Sequence, residues 1–183
     1  MTISISSREA YFWRWALAVV ATIFVTLFTG QPLAELLDNQ NVRAAIFLLV
    51  MGLIGAMMVV HALKTRPRRG EIAVWLGVTA VYVMFFLRLG MPERSHLMEY
   101  SVLAVFVHKA IDERLGAGRR RPVSALLAFL LTFLVGVVDE TIQLFLPDRV
   151  FDPADMFFNG SAAALALGAA ALLDWVRGKR SKE

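Results

Sequence analysis

No cysteine occurs among the 183 residues, which excludes disulfides, thiol nucleophiles and thiolate-held metals and leaves little scope for redox chemistry by the chain itself. Charge is scarce too: charged residues make up 19% of the chain, hydrophobic ones 58%, and the mean hydropathy is +0.62. A soluble core of this length does not require that much apolar surface, so the composition describes an integral membrane protein. Period-two alternation is also lacking, which argues against a barrel. Lipid cannot satisfy exposed backbone groups, so the spans are expected to be helices. Low-complexity segments, internal repeats and the discontinuous helix pairs of an inverted-repeat transporter are absent as well, and a flippase ranks below a binding role.

What is present is a series of apolar runs separated by charged breaks. A helix needs about 20 mainly apolar residues to cross roughly 30 Å of hydrocarbon. Six candidates meet this need, at 11–29, 42–63, 71–89, 96–111, 122–146 and 156–176. The expectation is an all-α integral membrane protein, a compact bundle of about six transmembrane helices forming one domain over 1–183. Tyr11, Phe12, Trp13 and Trp15 crowd the start of the first run as interfacial aromatics do, and no cleavage site ends it. It is therefore read as a span and not as a removed leader.

Basic residues set the expected orientation. With the amino terminus inside, the inner segments hold 15 of the 19 Lys and Arg, and only Arg43, Arg88, Arg94 and Arg149 fall outside. Nine acids lie in the outer segments. Lysine and arginine near span ends favour the cytoplasm, so both termini are expected inside. The pI near 9.8 then reflects a membrane-facing collar, and no nucleic-acid partner is expected.

The unusual polar residues concentrate in two places that this topology puts on the outer side. The first is Glu93-Arg94-Ser95-His96-Leu97-Met98-Glu99-Tyr100. At about 100° per residue, Glu93, His96, Glu99 and Tyr100 share one broad helix face. Such groups avoid lipid and turn to the bundle interior or a water-filled cavity, unless an interfacial helix start simply meets water. The second runs from Asp139 to Asn159. At 1.5 Å per residue Glu140 lies about 27 Å beyond Pro122, just below the outer surface, with Gln143 one turn further on. Asp152-Pro153-Ala154-Asp155 reads as a helix start, with Asp152 as N-cap and Asp155 in the first turn. Asn159 follows one turn later. Gly160, Ser161, Ala162, Ala163, Ala164 and Ala166 allow close approach of neighbouring helices, which makes the last helix the expected central staple and draws Asn159 and Asp155 toward Glu140, Gln143 and His96.

These two clusters together, with Pro147-Asp148-Arg149-Val150-Phe151 between the acid pair and the helix start, resemble the VanZ-like membrane proteins. The resemblance covers about residues 91–171. The family pattern has His and Tyr four apart, then an Asp-Glu pair with Gln three further on, an Arg, two aspartates and an Asn. A glycine often found shortly after the Asn is replaced by Ser161 or Ala162, with Gly160 adjacent. The resemblance implies a bacterial cell-envelope protein of the cytoplasmic membrane and a link to glycopeptide resistance, but no agreed reaction.

Two functions follow as expectations. In the first, an outward-facing pocket binds an envelope lipid or lipid-linked precursor headgroup through Arg94, Tyr100, Asp139, Gln143, Arg149, Asp152, Asp155 and Asn159, with arginine gripping phosphate. In the alternative, a membrane-embedded hydrolase or transferase acts on a lipid-linked substrate, with His96, Glu99 and Glu140 as candidate catalytic groups and Arg149 stabilising developing charge. A metal joining His96, Glu99 and Glu140 or Asp139 stands as a weaker variant, because one imidazole is a thin ligand set; no metal or cofactor is expected. A third arrangement is a purely structural belt with Glu140 paired to Arg149 and Asn159 to Gln143. A membrane-protein partner or a second copy of the chain remains open. His61 and His108 lie near the inner basic loops and are assigned no role.

Overall fold

A computed structural model describes residues 5–36, 67–88, 91–116, 121–147 and 149–179, together with Val42, Leu49, Val60 and Lys64. Among the described residues the regular elements are five helices: α1 (Ser7–Leu36), α2 (Arg69–Arg88), α3 (Met91–Leu115), α4 (Arg121–Gln143) and α5 (Pro153–Lys179). They fall on five of the six apolar runs; the run at 42–63 lies outside the described residues. Among the described residues three stretches are long and apolar enough to cross a membrane, Ser7–Thr29, Pro122–Gln143 and Pro153–Gly178.

The helix boundaries follow from local chemistry. Ser6 Oγ accepts from the Glu9 N–H at 3.0 Å and opens α1. Gly116, at φ 79°, lets the chain turn out of α3 directly after Leu115. Asp152 Oδ1 accepts from the Ala154 N–H at 2.8 Å, so Asp152 caps α5 with Pro153 in the first position. The expected span to residue 146 is too long: α4 stops at Gln143. Tighter bonds from Phe145 N–H to the Ile142 carbonyl and from Leu146 N–H to the Gln143 carbonyl close the chain there. Pro147 has no N–H to extend the ladder and disfavours helix at the residue before it.

Side chains are distributed as lipid requires. Leu126, Leu130 and Leu134 lie one turn apart on α4 and are 51–58% exposed, whereas Ser124, Thr132, Asp139 and Glu140 of the same helix are almost fully buried. A soluble fold reverses this pattern, because it hides the apolar face from water. In a bilayer the apolar face meets lipid and the polar groups need the interior.

Among the described residues α3 packs against α1, α4 and α5, and the last helix packs on α2, α3 and α4, so the two share the centre. Leu97, Tyr100, Ala104, Val107 and Ile111 recur at three- and four-residue steps and are all buried. The reason is polarity: α3 carries charged groups at both ends, and enclosing it among neighbours spares those groups from lipid. Ala162, Ala163 and Ala166 of α5 are buried in the same core. Tyr82 OH donates to Ser101 Oγ at 2.9 Å, and Ser101 Oγ donates to the Ala162 carbonyl at 3.2 Å, which ties α2, α3 and α5 together.

One end of the bundle is fixed by ion pairs. Arg114 meets buried Glu9 at 3.2 Å and Arg177 meets buried Glu71 at 3.1 Å. Ser124 Oγ donates to Asp112 at 3.3 Å at the same end. The start of α3, the end of α4 and the start of α5 therefore meet at the other end.

Candidate functional site

The meeting of those three helix ends gathers most of the polar residues singled out from the sequence. His96 Nδ1 lies 2.8 Å from Asn159 Oδ1, joining α3 to α5. Tyr100, one turn further along α3, stacks on the His96 ring at 5.9 Å with the planes 4° apart. Its hydroxyl donates to Asp139 Oδ2 at 2.9 Å, joining α3 to α4. Glu140 is fully buried; its Oε1 accepts from Gln143 Nε2 at 3.0 Å and its Oε2 from the Asp152 N–H at 3.4 Å. Ligating atoms of His96, Asp139 and Glu140 lie within 4.8 Å of one another. Buried Asp139 Oδ1 and Asn159 Nδ2 have no hydrogen-bond partner among the described residues.

Arg149 makes contacts that the sequence did not suggest. Its Nη2 donates to the Thr26 carbonyl at 2.9 Å and the Leu27 carbonyl at 3.3 Å, and its Nε to the Leu27 carbonyl at 3.4 Å. The guanidinium thus clamps the loop before α5 to the side of α1. The structural pairings of Glu140 with Arg149 and of Asn159 with Gln143 do not form: Glu140 is held by Gln143 and the Asp152 N–H, and Asn159 by His96.

Glu99 is partly buried next to Tyr100 in α3 and is not one of the three clustered ligand residues. Asp152 caps α5 with its side chain and meets Glu140 with its backbone, while Asp155 occupies the first turn of α5. Arg94 lies in α3, and its side chain falls outside the described residues.

Sequence reasoning missed Gly136. A Cβ added there would lie 3.1 Å from both Cβ and Nδ2 of Asn159 and 3.3 Å from Cε1 of Tyr100. This glycine is what lets Asn159 and Tyr100 close over the acid pair. A lone glycine one turn before Asp139-Glu140, inside a Leu- and Val-rich run, was the available signal. Also missed was an apolar groove of about 330 Å³ between α2, α3 and α5, lined by Phe85, Leu97, Phe158, Ser161, Ala162, Ala164 and Leu165.

The chemistry open to this arrangement is constrained by sign. A phosphate about 5 Å from an ionised carboxylate is repelled by roughly 3 kcal/mol at an effective dielectric constant of about 20. Two acids and one imidazole therefore suit cation binding or proton exchange, and an anionic headgroup at this site requires a positive charge beside them. A family model described as VanZ/LLP1 matches residues 12–174. No curated protein and no solved structure matches the chain.

Proposed function

The chain belongs to the VanZ-like family, and from that premise we propose a multi-pass protein of the bacterial cytoplasmic membrane that binds the headgroup of an envelope lipid or lipid-linked precursor. The observation that carries this reading is the juxtaposition of a buried polar cluster and an apolar groove at one level of the bundle. Leu97 in the groove follows His96, and Phe158 precedes Asn159. An amphiphile requires both surfaces: the cluster takes the headgroup and the groove takes the start of the hydrocarbon chain.

In this reading six spans form one domain with both termini inside, the second span arising from the run at 42–63. The bias of 15 in 19 basic residues supports that orientation, and it puts the cluster on the outer side, where envelope precursors are used. Any part in glycopeptide resistance rests on the family resemblance alone. A second reading, a hydrolase or transferase acting on a lipid-linked substrate, draws support from the adjacent buried acids beside His96, whose Nδ1 is held by Asn159.

The test is selective lipid retention. Full-length protein is reconstituted into phosphatidylcholine nanodiscs containing a minor fraction of a polyprenyl phosphate, then re-extracted, and the retained lipids are weighed against the input mixture. The proposal expects enrichment of the phosphate lipid, lost in Ala164→Phe, which fills the groove from an exposed position. Retention in proportion to the input would refute it. Conversion of the lipid during incubation would instead favour the enzyme.

A further inference from the structure

We propose that His96, Asp139 and Glu140 bind one divalent transition-metal ion, zinc or manganese, which offers an open coordination position to the anionic headgroup. The inference rests on the headgroup reading for its purpose but not for its geometry. Three observations carry it.

The first is the ligand set. One imidazole and two carboxylates from α3 and α4 place ligating atoms within 4.8 Å of one another. With bonds of about 2.0–2.1 Å, two atoms on one zinc ion are at most about 4.2 Å apart. The widest separation permitted here exceeds that by less than about 1 Å, which small side-chain rotations close. The imidazole favours zinc over magnesium or calcium, which prefer all-oxygen sites, and the two carboxylates also admit manganese.

The second is the orphaned carboxylate oxygen. Asp139 is 2% exposed, and its Oδ1 has no hydrogen-bond partner among the described residues. Desolvating a carboxylate oxygen with nothing to meet it is unfavourable, and a bound cation removes that penalty.

The third is the outer layer. Each of the three residues is held by a different neighbour: His96 by Asn159, Asp139 by Tyr100 and Glu140 by Gln143. None of these bonds joins one of the three to another. Metal ligands are oriented from behind by separate groups in this way. Because Asn159 Oδ1 accepts from His96 Nδ1–H, the lone pair of His96 lies on Nε2, the form required of a ligand.

A bound cation also resolves the sign problem, since it changes an acid-rich pocket that repels phosphate into one that attracts it. Arg149 meets that need only in part, because its Nε and Nη2 are engaged by the α1 carbonyls.

The experiment uses full-length protein in mild detergent, stripped with chelator and then titrated with zinc chloride or manganese chloride alone. Bound metal is counted by mass spectrometry after desalting, alongside His96→Gln, Asp139→Asn, Glu140→Gln and the outer-layer variant Gln143→Ala. Far-UV circular dichroism and gel filtration confirm which variants fold. The proposal expects saturation at one ion per chain, weakening of at least about tenfold in every folded ligand variant, and weakening of about tenfold or more in Gln143→Ala. No saturable binding of either ion, or undiminished binding in the folded variants, would overturn it. Phosphate-lipid retention is measured on the stripped and reloaded samples. Retention without any metal binding overturns the metal site and leaves headgroup binding standing. One bound ion without selective retention supports the metal site and removes the headgroup reading.

Discussion

Gly136→Ala sets two effects of opposite sign against each other. Alanine in a helix interior is favoured over glycine by about 1 kcal/mol, because the backbone loses less freedom on folding. Against this, the new methyl carbon would sit 3.1 Å from Asn159 Cβ and Nδ2 and 3.3 Å from Tyr100 Cε1, inside the roughly 3.5–4.0 Å optimum for carbon pairs. Overpacking of this kind typically costs 1–3 kcal/mol. Neither neighbour yields freely, because Asn159 is bound to His96 at 2.8 Å and Tyr100 to Asp139 at 2.9 Å. The expected net is a destabilisation of about 0–2 kcal/mol, the difference between those two terms. Gly168 is the internal control: nothing lies within 4 Å of its added Cβ, so Gly168→Ala should show the propensity gain alone, about 1 kcal/mol. Both are measured by dodecyl sulfate titration in mixed micelles followed by far-UV circular dichroism. In the Gly136→Ala, Asn159→Gly double variant part of the crowding disappears, so the two changes should couple by about 1 kcal/mol or more. Equal stabilisation at positions 136 and 168, together with additivity in the double variant, would refute the close approach of α4 and α5 over the acid pair.

Further outcomes follow from the same contacts. Arg149→Ala should loosen the loop before α5 from α1 by about 0.6 to 1.7 kcal/mol, between the average and the maximum of side-chain hydrogen bonds measured in a membrane protein; Arg149→Lys should not restore it, because one ammonium does not reproduce the fork spanning two carbonyls, and limited proteolysis at that loop reads both. Arg114→Ala leaves buried Glu9 without its partner and should be less stable in the same titration than the Glu9→Gln, Arg114→Ala double variant, since an unpaired buried charge is worse than no pair. Because the chain contains no cysteine, single introduced thiols report sidedness cleanly: in intact cells Val150→Cys should react with an impermeant maleimide, and Gly178→Cys only after permeabilisation. The reverse pattern would overturn the amino-in topology.

Much of the fold was legible because lipid makes strict demands on sequence. Apolar runs located five helices, and Asp152-Pro153 announced the start of α5 through capping chemistry that needs no tertiary partner. Spacing within helices placed His96 and Tyr100 on one face, and the small residues of α5 foretold the close packing through which Asn159 meets His96. Other features depended on which helices become neighbours. That α3 shares the centre with α5 follows from enclosure of its charged ends, which hydropathy along the chain does not show. The clamp of Arg149 on α1 was not legible, because its acceptors are backbone carbonyls and these have no signature in side-chain sequence. Likewise Glu9 and Glu71 sit in basic stretches whose sum hid the specific pairs they make. Gly136 could be read as an ordinary small residue until the groups opposite it were known.

The central claim is that one amphiphile bridges the polar cluster and the apolar groove, and native mass spectrometry of the chain ejected gently from its own membranes tests it most directly. Wild type should carry a single phosphorus-containing lipid species of defined mass, and both Ala164→Phe in the groove and His96→Gln in the cluster should lose it while remaining folded. The same lipid distribution in all three proteins would contradict the account.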